Sequence, residues 1–182
     1  MKSIKVKKMV MVAVFAAVSF ALQMIAPFPK VGGFLEIEFS DLPALIIAFA
    51  YGPISGVLVE LLKNLLHCLV TSTGFVGELA NFVVNGIFVA VAGLIYMNHK
   101  TFKTAILSLV LATAAMAIAG IFVNLYIMLP LYMPTAPLSV TMPLVLGTIL
   151  PFNLVKGAGI SLITMLIYKR ISPIIKFSGG RK

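Results

Sequence analysis

The polar side chains of this chain are few, and they are grouped. Glu60, Lys63, Asn64 and His67 recur at spacings of three and four in "VELLKNLLH", which places them on one face of a helix. Glu78 and Asn81 follow in "GELANF", Asn124 stands alone in "FVNLYIM", and Asn153 and Lys156 share a helical face in "LPFNLVKG". Glu36, Glu38 and Asp41 lie together in "EIEFSD". Amides, carboxylates and an ammonium set in apolar surroundings suit the hydrogen bonding of a small polar molecule. They also suit the bracing of helices against one another. Glu60 and Lys63 can pair at i, i+3, Lys63 can equally meet Asp41, and Asn64 can bond a neighbouring helix. His67 reads as an interfacial or hydrogen-bonded histidine, because no HxxxH and no His/Cys pairing accompanies it. The chain has no GxxxxGK[ST], GxSxG or HExxH, so neither a P-loop ATP site nor a hydrolase constellation is present in its sequence.

These groups need a scaffold, and composition decides which kind. Of 182 residues, 61% are hydrophobic and 10% charged, with a mean hydropathy of +1.13. Soluble domains are about 45–50% apolar. A water-facing surface cannot be built from this chain, and an integral membrane protein is expected. The single cysteine, Cys68, excludes an internal disulfide and any CxxC site. The net charge of +9 does not point to nucleic acid, since the bases flank hydrophobic segments as membrane topology requires.

Six such segments cover residues 9–27, 42–51, 54–70, 80–97, 105–129 and 144–168. A spanning helix takes about 20 residues. The second is shorter, and either recruits residues 34–39 or forms a partial span covered by its neighbours; Gly52-Pro53 breaks it from the third. The first is too long for a signal peptide and lacks a cleavage pattern, so it reads as a permanent helix. Lys2, Lys5, Lys7 and Lys8, then Lys100 and Lys103, then Lys169, Arg170, Lys176, Arg181 and Lys182 all fall on one side of six spans. The other side carries only Lys30 in its loops. The expectation is an all-α, six-transmembrane-helix bundle with N and C termini cytoplasmic. It forms a single membrane-embedded domain over residues 1–182, with a basic tail at 177–182.

Depth follows from the helical rise. Glu60 falls near mid-membrane, His67 about 10 Å further out, and Asn153 and Lys156 roughly 20–24 Å above Lys169. Asn81 and Asn124 lie near outer helix ends. The polar groups therefore meet in the outer half, where they line or brace a pocket. Pro151 should kink its helix and open backbone near Gly147. Lys156 needs a partner, and no acid follows Glu78; a ligand group or an earlier acid must serve. Tyr126 and Tyr132 suit either interface anchoring or ligand contact. Ala13, Ala17 and Ala21 form a small-xxx-small face that suits packing within the bundle or contact with another subunit.

The runs "EIEFSDLPALI", "AFAYGPISGVLVELLKNLLH", "GELANFVVNG", "FVNLYIMLPLY" and "LPFNLVKG" together resemble the riboflavin-specific S component of energy-coupling factor (ECF) transporters, across almost the whole chain. The resemblance implies a non-enzymatic subunit of the bacterial plasma membrane. It would bind riboflavin from outside, as transported ligand and not as cofactor, and no metal. Its partners would be a transmembrane T component and two ABC-type ATPases, and it is thought to topple in the membrane during uptake. By the same resemblance Asn124, Asn153 and Lys156 hydrogen-bond the flavin. Leu35 and Glu36 belong to a lid, Ala80 and Asn81 line the ring pocket, and Ala13 and Ala17 dock the T component. Two other readings stand beside it. One is an S component for another vitamin or a flavin relative such as FMN. The other is a membrane enzyme or scaffold using Glu60, Lys63 and His67.

Overall fold

Long apolar runs, interrupted by prolines and glycines, become a bundle of helices. The structure, a computed structural model, describes residues 2–25, 31, 35–71 and 75–178. Pro27, Lys30, Phe34 and the end of the basic tail, from residue 179, lie outside them. The helices are α1 (Lys2–Met24), α2 (Asp41–Tyr51), α3 (Pro53–His67), α4 (Val76–Asn98), α5 (Phe102–Val123), α6 (Leu129–Tyr132), α7 (Leu138–Leu144) and α8 (Leu150–Ser178). A π turn, Asn124–Met128, joins α5 to α6, and a second, Val145–Ile149, joins α7 to α8. Helix α5 and α6 thus form one continuous span, Phe102–Tyr132, and α7 and α8 another, Leu138–Tyr168. With Lys5–Met24 and Val76–Asn98, four helices among the described residues are long and apolar enough to cross a membrane. Helices α2 and α3 complete the six expected segments as a shorter pair.

Helix α2 is apolar on every side, and such a helix belongs inside. Ala44, Leu45, Ala48 and Phe49 are fully buried, and α2 packs against α1, α3, α4 and α8. The turn to α3 needs a left-handed backbone at Gly52, where φ is 100°, followed by Pro53 at the first helical position, where its missing N–H costs nothing. Two glycines set how closely the pair packs. A Cβ on Gly56 would lie 2.6 Å from Ala48 Cβ, and one on Gly93 would lie 2.9 Å from Pro53 Cα.

The last two spans begin and end differently from the hydrophobic pattern. The fifth runs through Pro130 to Tyr132, and the sixth begins at Leu138, ahead of residue 144. Prolines inside a helix crowd the carbonyl four residues back. Here that carbonyl belongs to Tyr126 for Pro130 and to Gly147 for Pro151, and each lies inside a π turn. The wider turn makes room for the ring, so the helix continues. Helix α4 starts at Val76, after Phe75 in the left-handed region (φ 70°). Asn81 therefore sits in its second turn, not its first as the hydropathy pattern suggested.

The end of the bundle near Lys100 and Lys103 is sealed by aromatic rings. Tyr96 and Tyr168 hydroxyls meet at 2.8 Å, Phe49 stacks on Tyr96 at 4.1 Å, and Phe102 meets Tyr168 edge-on. The polar residues collect at the opposite end.

Candidate functional site

The segment before α2 brings three acids to the bundle. Val31 and Leu35 pair through both backbone groups, at 2.8 and 3.0 Å, and the chain then runs irregularly past Glu36 and Glu38, turning at Phe39 and Ser40 to reach Asp41 at the start of α2. Glu38 and Asp41 are buried, and they receive both buried lysines. Lys156 Nζ lies 3.2 Å from Glu38 Oε1 and 3.1 Å from Asp41 Oδ2. Lys63 Nζ lies 2.9 Å from Asp41 Oδ1 and 2.6 Å from Glu60 Oε2, and also donates to Ser40 Oγ at 3.0 Å. Asp41 thus bridges α3 and α8 with one carboxylate. Charges out of water persist only when paired in this way. The question of what serves Lys156 is settled by two earlier acids.

From Glu38 the network continues into α4. Asn81 Nδ2 donates to Glu38 Oε1 at 3.2 Å, and Asn85 Nδ2 donates to Asn81 Oδ1 at 3.0 Å. On the far side His67 Nδ1 meets Glu78 Oε1 at 2.8 Å, tying the end of α3 to the start of α4, with Phe20 edge-on to the imidazole. Among the described residues Asn64 bonds no neighbouring helix. Its Nδ2 donates to the Glu60 carbonyl one turn back.

These elements surround a cavity of about 430 Å³, within the range of about 300–1,000 Å³ usual for small-molecule pockets. Leu35, Glu36, Ala80, Asn81, Asn124, Asn153 and Lys156 all line it. Lys63 and Glu60 do not; they stand behind Asp41 and brace the network. Tyr126 points away from the cavity, exposed and stacked on Phe122. Ala13, Ala17 and Ala21 are exposed on α1, whereas Val12, Ala16, Ser19 and Gln23 face the bundle. The small-residue stripe is therefore an outer face, not packing within this bundle.

The two asparagines that line the cavity from the last two spans are held by their own helices. Asn124 Nδ2 donates to the Gly120 carbonyl at 2.8 Å, and Asn153 Nδ2 donates to the Ile149 carbonyl at 2.9 Å. Each amide keeps its oxygen and a second N–H for another partner. Gly120 lies between them: a Cβ there would run into Asn153 Nδ2 and come within 3.0 Å of its Cγ. Both amides stand beside a π turn, a feature frequent at functional sites. Met128 and Phe152 add apolar wall.

The cavity also takes in residues that the sequence did not single out, among them Gln23, Val84, Asn85, Met128 and Phe152. A signal existed for two of them. Asn85 follows Asn81 by one helical turn, and Gln23 follows Ser19 by one turn on the buried face of α1. Among the described residues no group of His, Cys, Asp and Glu could hold a metal ion.

Compared with known proteins, the family model described as ECF transporter, substrate-specific component, matches residues 7–168. The riboflavin transporter RibU of Staphylococcus aureus (strain TCH60) is 34% identical over 175 residues, covering 93% of each chain. The riboflavin transporter FmnP of Bacillus subtilis (strain 168) is 34% identical over 181 residues, covering 94% of this chain and 95% of that protein. A solved structure of the S component of a bacterial ECF transporter superposes with a TM-score of 0.81 at 35% identity, covering 94% of this chain and 99% of the other.

Proposed function

The chain belongs to the family of substrate-specific components of ECF transporters, and from that premise we propose that it is the riboflavin-capturing subunit. Two of its relatives, at 34% identity over more than nine-tenths of the chain, are riboflavin transporters. The observation that carries the reading is the cavity wall. Asn124, Asn153 and Asn81 offer amide donors and acceptors, Lys156 offers an ammonium, and Leu35, Ala80, Val84, Met128 and Phe152 offer apolar surface. Riboflavin has a flat ring with an amide-like edge and a hydroxylated tail, which matches such a mixture. Asn124, Asn153 and Lys156 bind the polar groups of the ring and tail. Ala80 and Asn81 lie along the ring, and Leu35 and Glu36 cover the opening.

A phosphorylated flavin fits less well. Glu36, Glu38 and Glu78 stand on the wall, and Lys156, its lysine among the described residues, is already paired twice. An additional dianion would meet like charge.

The chain has no P-loop, so ATP must be hydrolysed by partners. These are two ABC-type ATPases joined through a transmembrane T component. The exposed Ala13 and Ala17 face on α1 is the surface where that component approaches, since small residues let helices come close. The chain sits in the bacterial plasma membrane as a multi-pass protein with both termini and the Lys100–Lys103 loop in the cytoplasm, and the cavity opens outward. The test is growth of a riboflavin-auxotrophic bacterium that lacks its own importer. Low riboflavin should support growth when this chain is expressed together with a T component and the ATPases, and not when any of them is omitted. Equal growth without this chain would refute the reading.

A further inference from the structure

The buried network does not balance. Among the described residues Glu38, Asp41 and Glu60 face Lys63 and Lys156 alone, so three carboxylates meet two ammoniums, and all five side chains are buried. The two acids nearer the cavity hold more donors. Asp41 has a lysine on each oxygen, and Glu38 takes Lys156 and the Asn81 amide on Oε1, its Oε2 being buried without a hydrogen-bond partner among the described residues. Glu60 is the least compensated. It shares Lys63 with Asp41 and Ser40, and its Oε1 is buried with no hydrogen-bond partner among the described residues.

A second orphan lies one turn along the same helix. Asn64 is 3% exposed. Its Nδ2 donates to the Glu60 carbonyl, which lays the side chain along α3 toward residue 60, and its Oδ1 is buried without a partner. Two buried acceptors on neighbouring turns, neither with a donor among the described residues, are costly as they stand. One proton on Glu60 supplies a donor there and cancels the excess charge. Other elements packed near α3 do not change the sum. Among the described residues the buried polar groups of α1 are the uncharged Ser19 and Gln23, and Glu78 on α4 is engaged with His67.

We propose that Glu60 is a proton-binding site, held as a neutral carboxylic acid in the folded protein. Its place behind Asp41, off the cavity wall, makes the proton part of the scaffold that fixes Lys156, not part of ligand contact. The inference does not depend on which ligand the cavity takes.

The test is the infrared spectrum of the full-length protein in lipid nanodiscs, without ligand, in buffer free of sodium and potassium. A neutral carboxylic acid has a C=O stretch that stands clear of the amide band and shifts in D₂O. The parent should show it at neutral pH. Glu60→Gln, which mimics the protonated acid, should lose it while keeping flavin affinity unchanged. Glu60→Asp should move it, so the assignment holds even if the glutamine variant accumulates poorly. Absence of the band in the parent would mean an ionised Glu60 bridged by water, and would overturn the proposal. So would a band that survives in Glu60→Gln, which would put the proton elsewhere. A band-free protein stabilised by sodium or potassium would mean a cation in the proton's place.

Discussion

Gly120 separates the binding of ligand from the stability of the fold. Replacing it with alanine adds a methyl group where Asn153 Nδ2 now rests. The glycine is buried inside α5, and alanine is favoured there by about 1 kcal/mol in helix propensity. Against this stands the displacement of Asn153, which loses its bond to the Ile149 carbonyl, worth about 0.5–1.5 kcal/mol. The obstructing atom is the end of a side chain and not backbone, so the fold gives way cheaply and the thermal midpoint should hardly move. Ligand affinity should fall. A hydrogen bond lost to a buried ligand costs about 1–3 kcal/mol, or roughly five- to 150-fold. The assay is a titration followed by flavin fluorescence quenching on Gly120→Ala, Asn153→Ala and the double variant. If the alanine acts through Asn153, the double variant should bind no worse than Asn153→Ala alone, as coupled neighbours do. Parent-like binding by Gly120→Ala, or strictly additive losses, would refute the reasoning.

The other expectations concern the core and the outer face. Gly56→Ala forces a methyl group against Ala48 and Val89, and should destabilise the bundle by about 1–3 kcal/mol, read as a lower denaturation midpoint with ligand affinity retained by the folded fraction. Lys63→Met leaves Asp41 and Glu38 to share Lys156 alone among the described residues and should cost about 3–5 kcal/mol of stability, with little change in intrinsic affinity. Lys156→Met removes a cavity-lining group as well as two ion pairs, and should lower both. The pair of variants is compared by thermal unfolding and titration; greater loss of affinity in Lys63→Met would move the ligand to the α3 face. Ala17→Phe should abolish uptake in cells while the purified protein still binds flavin, because Ala17 is exposed on α1.

Much of this was legible in the sequence because a membrane constrains it. Each long apolar run became a helix, and Gly52-Pro53 broke α2 from α3 where the residue types required. Asn153 and Lys156 shared a face because their spacing left no alternative. What stayed hidden depends on contacts between distant segments. Lys156 meets Glu38 across 118 positions of chain, and nothing in the spacing of "LPFNLVKG" names that acid. Glu60–Lys63 was readable as an i, i+3 pair, but the bridge through Asp41 was one choice among several. The disturbance was readable at Pro151, read as opening backbone near Gly147, where the second π turn lies; that a widened turn carries the fifth helix on through Pro130 was not, because it depends on three-dimensional packing. The outward direction of Ala13 and Ala17 likewise had to wait for the rest of α1 to show which side it buries.

The central claim is that the cavity between the lid, α4, α5 and α8 holds riboflavin. The direct measurement is equilibrium titration of the purified, detergent-solubilised chain with riboflavin, with thiamine, biotin and FMN as competitors. Quenching of flavin fluorescence should saturate at one riboflavin per chain, be weakened by Asn124→Ala and Asn153→Ala, be little affected by thiamine or biotin, and be reversed by FMN only at higher concentration. Absence of saturable riboflavin binding, or tighter binding of another vitamin in the same cavity, would contradict it.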